Sequence, residues 1–254
     1  MALGSGTRDF AVGDRVAYFR SQGAYASERL IDESLLVKIP DEIEFDEAAT
    51  LMVKGIMAWL SAKKLFTVEP GQTVLVTTAA GGIGSLVTRM AAWRGARVIG
   101  VVGSEAKRAA ALANGAVDVA IGLSDGLALA LDATSGTGVD AVLDGIGAGV
   151  AEAAILSGAV KKGGAVVSFG SAGGWVTADA AAVANQGVTL FNPLASDYLR
   201  TPEELRANIR EVFDLKLSGA FGELPITRYP LEKATQLHND VEQRRLSGLA
   251  VLIP

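Results

Sequence analysis

The sequence predicts an α/β fold built on a doubly wound parallel sheet, and three observations predict it. First, from about residue 72 short β-prone segments, apolar on both faces, alternate with helical stretches, which is how strands covered on both sides of a parallel sheet read. Second, the first of these strands runs into a cluster of small residues that opens a helix, "VLVTTAAGGIGSLVTRMAAWRG". Third, half of the 254 residues are apolar, with no uninterrupted apolar run long enough for a membrane span of about 20 residues. Right-handed crossovers between parallel strands then require helices on both faces.

The elements follow in order. "TVLVTT" (73–78) precedes a helix from about Gly82 to Arg94, and "RVIGVV" (97–102) precedes one from Ser104 to Asn114. "VDVAI" (117–121) is a strand, "GLALALDAT" a helix and "VDAVLD" (139–144) a strand. A helix around 149–160 leads to "GGAVVSFG" (163–170), and "GVTLFNP" (187–193) closes the series. The flanks differ. Residues 10–40 are Gly-punctuated and strand-like, and a long helix is expected from about Asp46 to Lys64, its acidic first turn matched to the helix dipole. The C-terminal part reads as a Pro-started helix from Pro202 to about Ser218, a helix over "RYPLEKATQLHNDVEQRR" and a last strand "LAVLIP". The Ala-rich run 178–184 is the one low-complexity stretch.

Composition narrows the chemistry. With no Cys and one His, disulfides, thiolate catalysis and a His/Cys zinc site are excluded. A formal net charge of −5 without a basic block argues against nucleic acid as a partner. The N-terminus lacks the basic-then-apolar pattern of a signal peptide, so a cytoplasmic protein away from membranes is expected.

The turn Ala79-Ala80-Gly81-Gly82-Ile83-Gly84 corresponds to the dinucleotide fingerprint G-x-G-x-x-G, with Ala in place of the first Gly. Gly81 and Gly82 let backbone approach a pyrophosphate at the helix N-terminus, and Gly84 lets the helix sit close on the sheet. A tight packing turn with no ligand is the bland alternative. At the end of the second strand an NAD site places a carboxylate for the ribose hydroxyl. Here "VVGSEAKR" offers Gly103, Ser104, Lys107 and Arg108, which suit a 2′-phosphate and hence NADPH. Glu105 stands against that choice, and a solvated helix face would equally account for the two cations.

The pieces "DFAVGDRVAYF", "GAYAS", "AAGGIG", "GVVGSEAKR", "VVSFGSAGG", "PLASDY" and "RYPLEKATQLHNDVEQRR" lie in one order across nearly the whole chain. In them the sequence resembles the zinc-free quinone oxidoreductase (zeta-crystallin-like) branch of the medium-chain dehydrogenase/reductase superfamily. The resemblance implies a Rossmann sheet inserted in a GroES-like catalytic domain, here truncated: residues 61–195 bind NADP, and residues 1–60 with 196–254 form the catalytic part. It implies hydride transfer from NADPH to a small-molecule quinone or α,β-unsaturated carbonyl. It also implies that Ala80, Gly81, Gly82 and Ile83 contact the pyrophosphate, that Ser104 and Lys107 beside Gly103 hold the 2′-phosphate, and that Phe169, Gly170 and Ser171 line the nicotinamide path. A homodimer would pair through the strand near Val188–Phe191.

The departures from the family pattern are specific. Relatives carry a longer segment ahead of "DFAVGDRVAYF", which includes an Asn and a Tyr that face nicotinamide and substrate; this chain has eight residues there. A Thr that contacts the nicotinamide amide is Met57, a Tyr over the adenosine phosphate falls near Gly122, and an Arg and a Lys become Asn192 and Leu249. The chain is then a piece of a longer reductase, a short relative with altered chemistry, or half of a site completed by another chain.

Independent candidates for chemistry are few. Lys54, on the predicted helix 46–64, is placed as a proton donor or a clamp on the substrate carbonyl, and Tyr18 as a weaker proton source. His238 sits in a helical pattern as a structural residue, and the carboxylates Asp41, Glu42, Glu44, Asp46 and Glu47 read as a helix N-terminus rather than a metal site. The leading reading is an NADPH-dependent quinone or enone reductase. Its rivals are a remodelled non-redox enzyme or cofactor-gated interaction module, and a purely structural protein.

Overall fold

A computed structural model describes residues 2–19 and 22–254. Six strands form one parallel sheet: β3 (Thr73–Thr77), β4 (Arg97–Val102), β5 (Asp118–Ile121), β6 (Val139–Asp144), β7 (Val160–Ser168) and β8 (Thr189–Phe191). Their spatial order is β5-β4-β3-β6-β7-β8, so the direction of progression reverses between β3 and β6. In an open α/β sheet that reversal leaves a crevice at the carboxyl ends of the two central strands, where ligands bind.

Side-chain alternation divides the core. Val74, Val76, Val98, Ala141, Leu143, Ala165 and Val167 point to one layer, while Leu75, Ile99, Val101, Val142 and Val166 point to the other. The first layer is closed by helix α3 (Gly82–Trp93), α8 (Pro202–Leu217) and the long helix 45–64. The second is closed by α5 (Leu123–Ala133), α6 (Val150–Leu156) and α7 (Ala180–Asn185). Between β4 and β5, the predicted helix 104–114 is a short 3-10 turn followed by α4 (Arg108–Ala113).

The flanks depart from the sequence reading in three places. Among the described residues of 10–40 only β1 (Val16–Tyr18) and β2 (Leu36–Lys38) are strands, paired antiparallel. The segment "RYP" is not helical: Ile226–Pro230 is strand β9, paired parallel with β10 (Leu249–Ile253), and the helix begins later as α9 (Ala234–Glu242). The Ala-rich run, read as low complexity, contributes α7, capped by the Asp179 carboxylate accepting from the Ala181 N–H.

The helix 45–64 runs unbroken but alternates its winding. α1 (Phe45–Thr50) and α2 (Ile56–Trp59) are each followed by a π-turn, Leu51–Gly55 and Leu60–Lys64. The carboxylates before it serve structure, with Glu44 and Glu47 forming a capping box, Glu47 paired with Lys216 at 2.7 Å, and Asp46 paired with Arg228. No described helix is long and apolar enough to cross a membrane.

A candidate cofactor crevice at the sheet reversal

The strand β3 ends in a turn that only small residues can make. Thr78 adopts φ 57°, in the left-handed region, and its carbonyl accepts from the Gly81 N–H at 2.7 Å. A Cβ on Gly84 would lie 2.1 Å from that same carbonyl oxygen, so helix α3 can approach the strand this closely only with glycine there. Two further carbonyls of the turn are occupied from outside. The Asn114 side-chain amide donates to Ala79 O at 3.1 Å, and the Gly248 N–H donates to Ala80 O at 2.9 Å. With its acceptors taken, the turn presents the unpaired N–H groups of the first turn of α3, the arrangement an anion requires.

Beside the turn opens a cavity of about 330 Å³. Thr78, Ala80 and Gly81 form its floor, and Val101, Val102 and Gly103 at the end of β4 form one wall. Gly122 and Leu123, Ile146, and the loop residues Ala172 and Gly173 complete it, with Lys107 and Arg244 as its two cations. Gly122, near which the family pattern is expected to have a Tyr, has φ +86°, and no atom lies within 4 Å of where a Cβ would be, so the cavity is open there.

The structure redistributes the cations. Lys107 faces the cavity and donates to Leu246 O at 3.2 Å. Arg108, paired with it in the sequence reading, does not line the cavity: its guanidinium pairs with Glu105 at 2.8 Å and donates to Val119 O. The same ion pair engages Glu105, the residue that argued against a 2′-phosphate. The second cation of the cavity is Arg244, from the turn between α9 and β10, held at φ 55°. Sequence reasoning missed Arg244 because its position depends on β10 pairing with β9, which brings that turn over the glycine loop. Ser104 is exposed next to Gly103, with no capping bond from its hydroxyl.

The other end of the crevice is organised by Asp144, which is fully buried at the end of β6. Its carboxylate accepts from the Thr77 and Ser168 hydroxyls at 2.8 and 2.7 Å and from the Ile146 and Gly147 N–H groups at 2.8 and 3.0 Å. Its backbone carbonyl accepts from the Phe169 and Gly170 N–H groups at 2.8 and 3.2 Å. One residue therefore ties the ends of β3, β6 and β7 together. Gly170 lies so close to Gly145 that a Cβ would sit 2.0 Å from its carbonyl oxygen. Phe169 is half-buried and Ser171 exposed, and it is their neighbours Ala172 and Gly173 that reach the cavity wall.

Of the two residues singled out for chemistry, Lys54 lies against the glycine turn. Its Cε is 3.1 Å from where a Gly82 Cβ would be, and burial holds its ammonium below the usual lysine range. Tyr18, on β1, is stacked under the Arg29 guanidinium at 4.5 Å and lines neither described cavity. Ile83 is partly buried against the core beneath the turn, and Met57 is buried. His238 is exposed and its Nε2 lies 2.6 Å from the Tyr25 hydroxyl, tying α9 to the N-terminal loop. A second cavity of about 380 Å³ lies between β2, α8 and residues 9–10, away from the glycine turn; there Arg206 is bound to Asp9, Glu33 O and Leu36 O.

The glycine cradle and the pair of cations fit a dinucleotide carrying a 2′-phosphate. Residues 82–214 match the family described as zinc-binding dehydrogenase. A quinone oxidoreductase of Pseudomonas aeruginosa is 33% identical over 257 residues, covering 100% of this chain and 78% of the relative. A 2-haloacrylate reductase of a Burkholderia species is 31% identical, covering 99% of this chain and 77% of the relative. The crystal structure of the Escherichia coli quinone oxidoreductase in complex with NADPH superimposes with a TM-score of 0.87 at 32% identity, over 99% of this chain and 78% of that one.

Proposed function

The chain belongs to the quinone oxidoreductase branch of the medium-chain dehydrogenase/reductase superfamily, and we propose that it is an NADPH-dependent reductase of quinones or α,β-unsaturated carbonyls acting in the cytoplasm. The observation that carries this reading is the crevice at the sheet reversal, where a glycine cradle and the cations Lys107 and Arg244 share one cavity. NADPH supplies the reducing equivalent when bound. The protein's part is to hold and orient it: the N–H groups of Ala80, Gly82 and Ile83 receive the pyrophosphate, which the Cβ-free Gly81 lets approach, and Gly103, Ser104, Lys107 and Arg244 surround the 2′-phosphate. Phe169 and Gly170, pinned through Asp144, and Ser171 after them shape the path of the nicotinamide half. Holding a cofactor and an acceptor in a reactive orientation in this way would supply part of the rate of such a transfer. In this reading residues 61–195 carry the cofactor, and residues 1–60 with 196–254 carry the substrate side.

The direct test is NADPH consumption with a naphthoquinone and with an acrylate-type enone. Turnover with either is expected; none with any acceptor sinks the reading. Charge-assisted bonds to phosphate contribute about 1.5–3 kcal/mol each. Lys107→Ala and Arg244→Ala are therefore each expected to raise the calorimetric Kd for NADPH about tenfold or more, while leaving that for NADH nearly unchanged. Equal losses for both cofactors would remove the 2′-phosphate role.

A homodimer is part of the same reading. β8 ends the described sheet, bonded only to β7, and an unpaired outer edge invites a second strand. A second copy pairs there through Val188–Phe191. Sedimentation should give a dimer, and a Pro at Leu190 should shift it toward monomer.

A further inference from the structure

We propose that Lys54 is a cofactor-binding residue that neutralises the pyrophosphate at the glycine turn, rather than the proton donor its place on the helix first suggested. The proposal rests on the NADPH reading above and adds to it a residue reaching the turn from outside the Rossmann segment.

Three observations carry it. Lys54 sits in the π-turn Leu51–Gly55, whose wider winding shifts it relative to a regular helix; such turns recur at functional sites. The turn is held rigidly, because α8 packs directly on Gly55, where a Cβ would lie 2.7 Å from Val212 Cγ1. The Lys54 side chain is thereby laid across Gly82, the first residue of α3, with Cδ and Cε at 3.5 and 3.1 Å from the position of a Gly82 Cβ. Gly82 thus leaves room for Lys54 as well as for a ligand.

The electrostatics of this placement are unfavourable in the free protein. A helix N-terminus carries a partial positive charge, so a cation beside it is repelled. Burial adds a desolvation cost, which lowers the affinity of this ammonium for its proton. Among the described residues no carboxylate pairs with Lys54, whereas Lys38, Lys63, Lys161 and Lys216 all have acidic partners. A dianionic pyrophosphate on the turn reverses both terms at once, since it attracts the ammonium and the N–H groups together. A half-buried lysine with no carboxylate, kept at the positive end of a helix, is matched to an anion that arrives from solution.

The sign of two measurements separates this role from the others. Lys54→Met keeps the length and apolar stem of the side chain and removes the charge. It is expected to raise the melting temperature of the cofactor-free protein, because an unpaired desolvated charge is gone. It is also expected to raise the calorimetric Kd for NADPH about tenfold or more. The Kd for adenosine 2′-monophosphate, which has the 2′-phosphate but no pyrophosphate, should stay unchanged, and Lys54→Arg should recover most of the NADPH affinity. An unchanged Kd for NADPH in Lys54→Met overturns the proposal, and an accompanying fall in kcat returns Lys54 to proton delivery. A parallel loss for both ligands overturns it too, as that would mean a general distortion of the site. If the wild-type chain binds adenosine 2′-monophosphate but not NADPH, or binds neither, the cofactor reading itself fails, and the failure is visible before any variant is compared.

Discussion

Asp144→Ala is expected to lower folding stability by roughly 3–5 kcal/mol, because it leaves several buried donors without an acceptor. The Thr77 and Ser168 hydroxyls and the Ile146 and Gly147 N–H groups all donate to this one carboxylate, at 2.7–3.0 Å. The hydroxyls can turn to other acceptors, but the two N–H groups are fixed in the backbone of the β6–α6 loop. For a chain of this size the loss corresponds to a fall in melting temperature on the order of 10 °C. Asp144→Asn is expected to cost less, about 1–3 kcal/mol, since one oxygen is kept while the new amide N–H₂ faces donors. Both can be read by chemical denaturation. A loss below about 1 kcal/mol for Asp144→Ala would show that the loops 145–147 and 169–174 are held without the carboxylate. The same variant should weaken NADPH binding, because the Asp144 carboxylate fixes the Ile146 and Gly147 N–H groups, and Ile146 lines the cavity.

Gly84→Ala tests the second constraint, and its expected sign runs against helix propensity. Gly84 lies inside α3, where Ala is ordinarily favoured over Gly by about 1 kcal/mol. Here the added Cβ would meet Thr78 O at 2.1 Å and Thr78 C at 2.7 Å, and both are backbone atoms that no side-chain rotation can move. The helix must lift from the strand or the turn must open, at a cost of about 3 kcal/mol. Either movement displaces the N–H groups that receive the pyrophosphate, so the Kd for NADPH should rise by about a hundredfold, some 2.7 kcal/mol. Gly71→Ala serves as the control: it has φ +84° and open space around it, so it carries only the conformational cost of about 1 kcal/mol. A stabilised Gly84→Ala protein with normal cofactor affinity would refute the close helix–strand approach.

The parts of the fold that were legible are those that local pattern determines. β4 and β6 fall on 97–102 and 139–144 as read, and β3 and α3 end within a residue of their expected limits. Each is a mostly apolar strand or an amphipathic helix, so composition and periodicity agree there. The strand β9 was hidden because "RYP" pairs with β10 about 20 residues further on, and its strand state comes from that partner rather than from its own residues. α7 was hidden because a run of Ala has no apolar stripe to mark a face.

The same division applies to the site. The turn Ala79–Gly84 was legible because its conformation demands small residues at fixed spacing, and Lys107 because it follows the second strand closely in sequence. Arg244, the orientation of Lys54 and the knot around Asp144 were not. Each depends on segments between 24 and 139 residues apart meeting at the ends of strands: Ser168 with Asp144, Lys54 with Gly82, Lys107 with the turn before β10. The sequence by itself determined the parallel sheet, the glycine cradle and the family pattern, since these follow from local sterics and hydrophobic period. Only the tertiary structure decided which cations face the crevice, because charged side chains are long and carry no periodic constraint, and their partners are set by what the packed core brings alongside them.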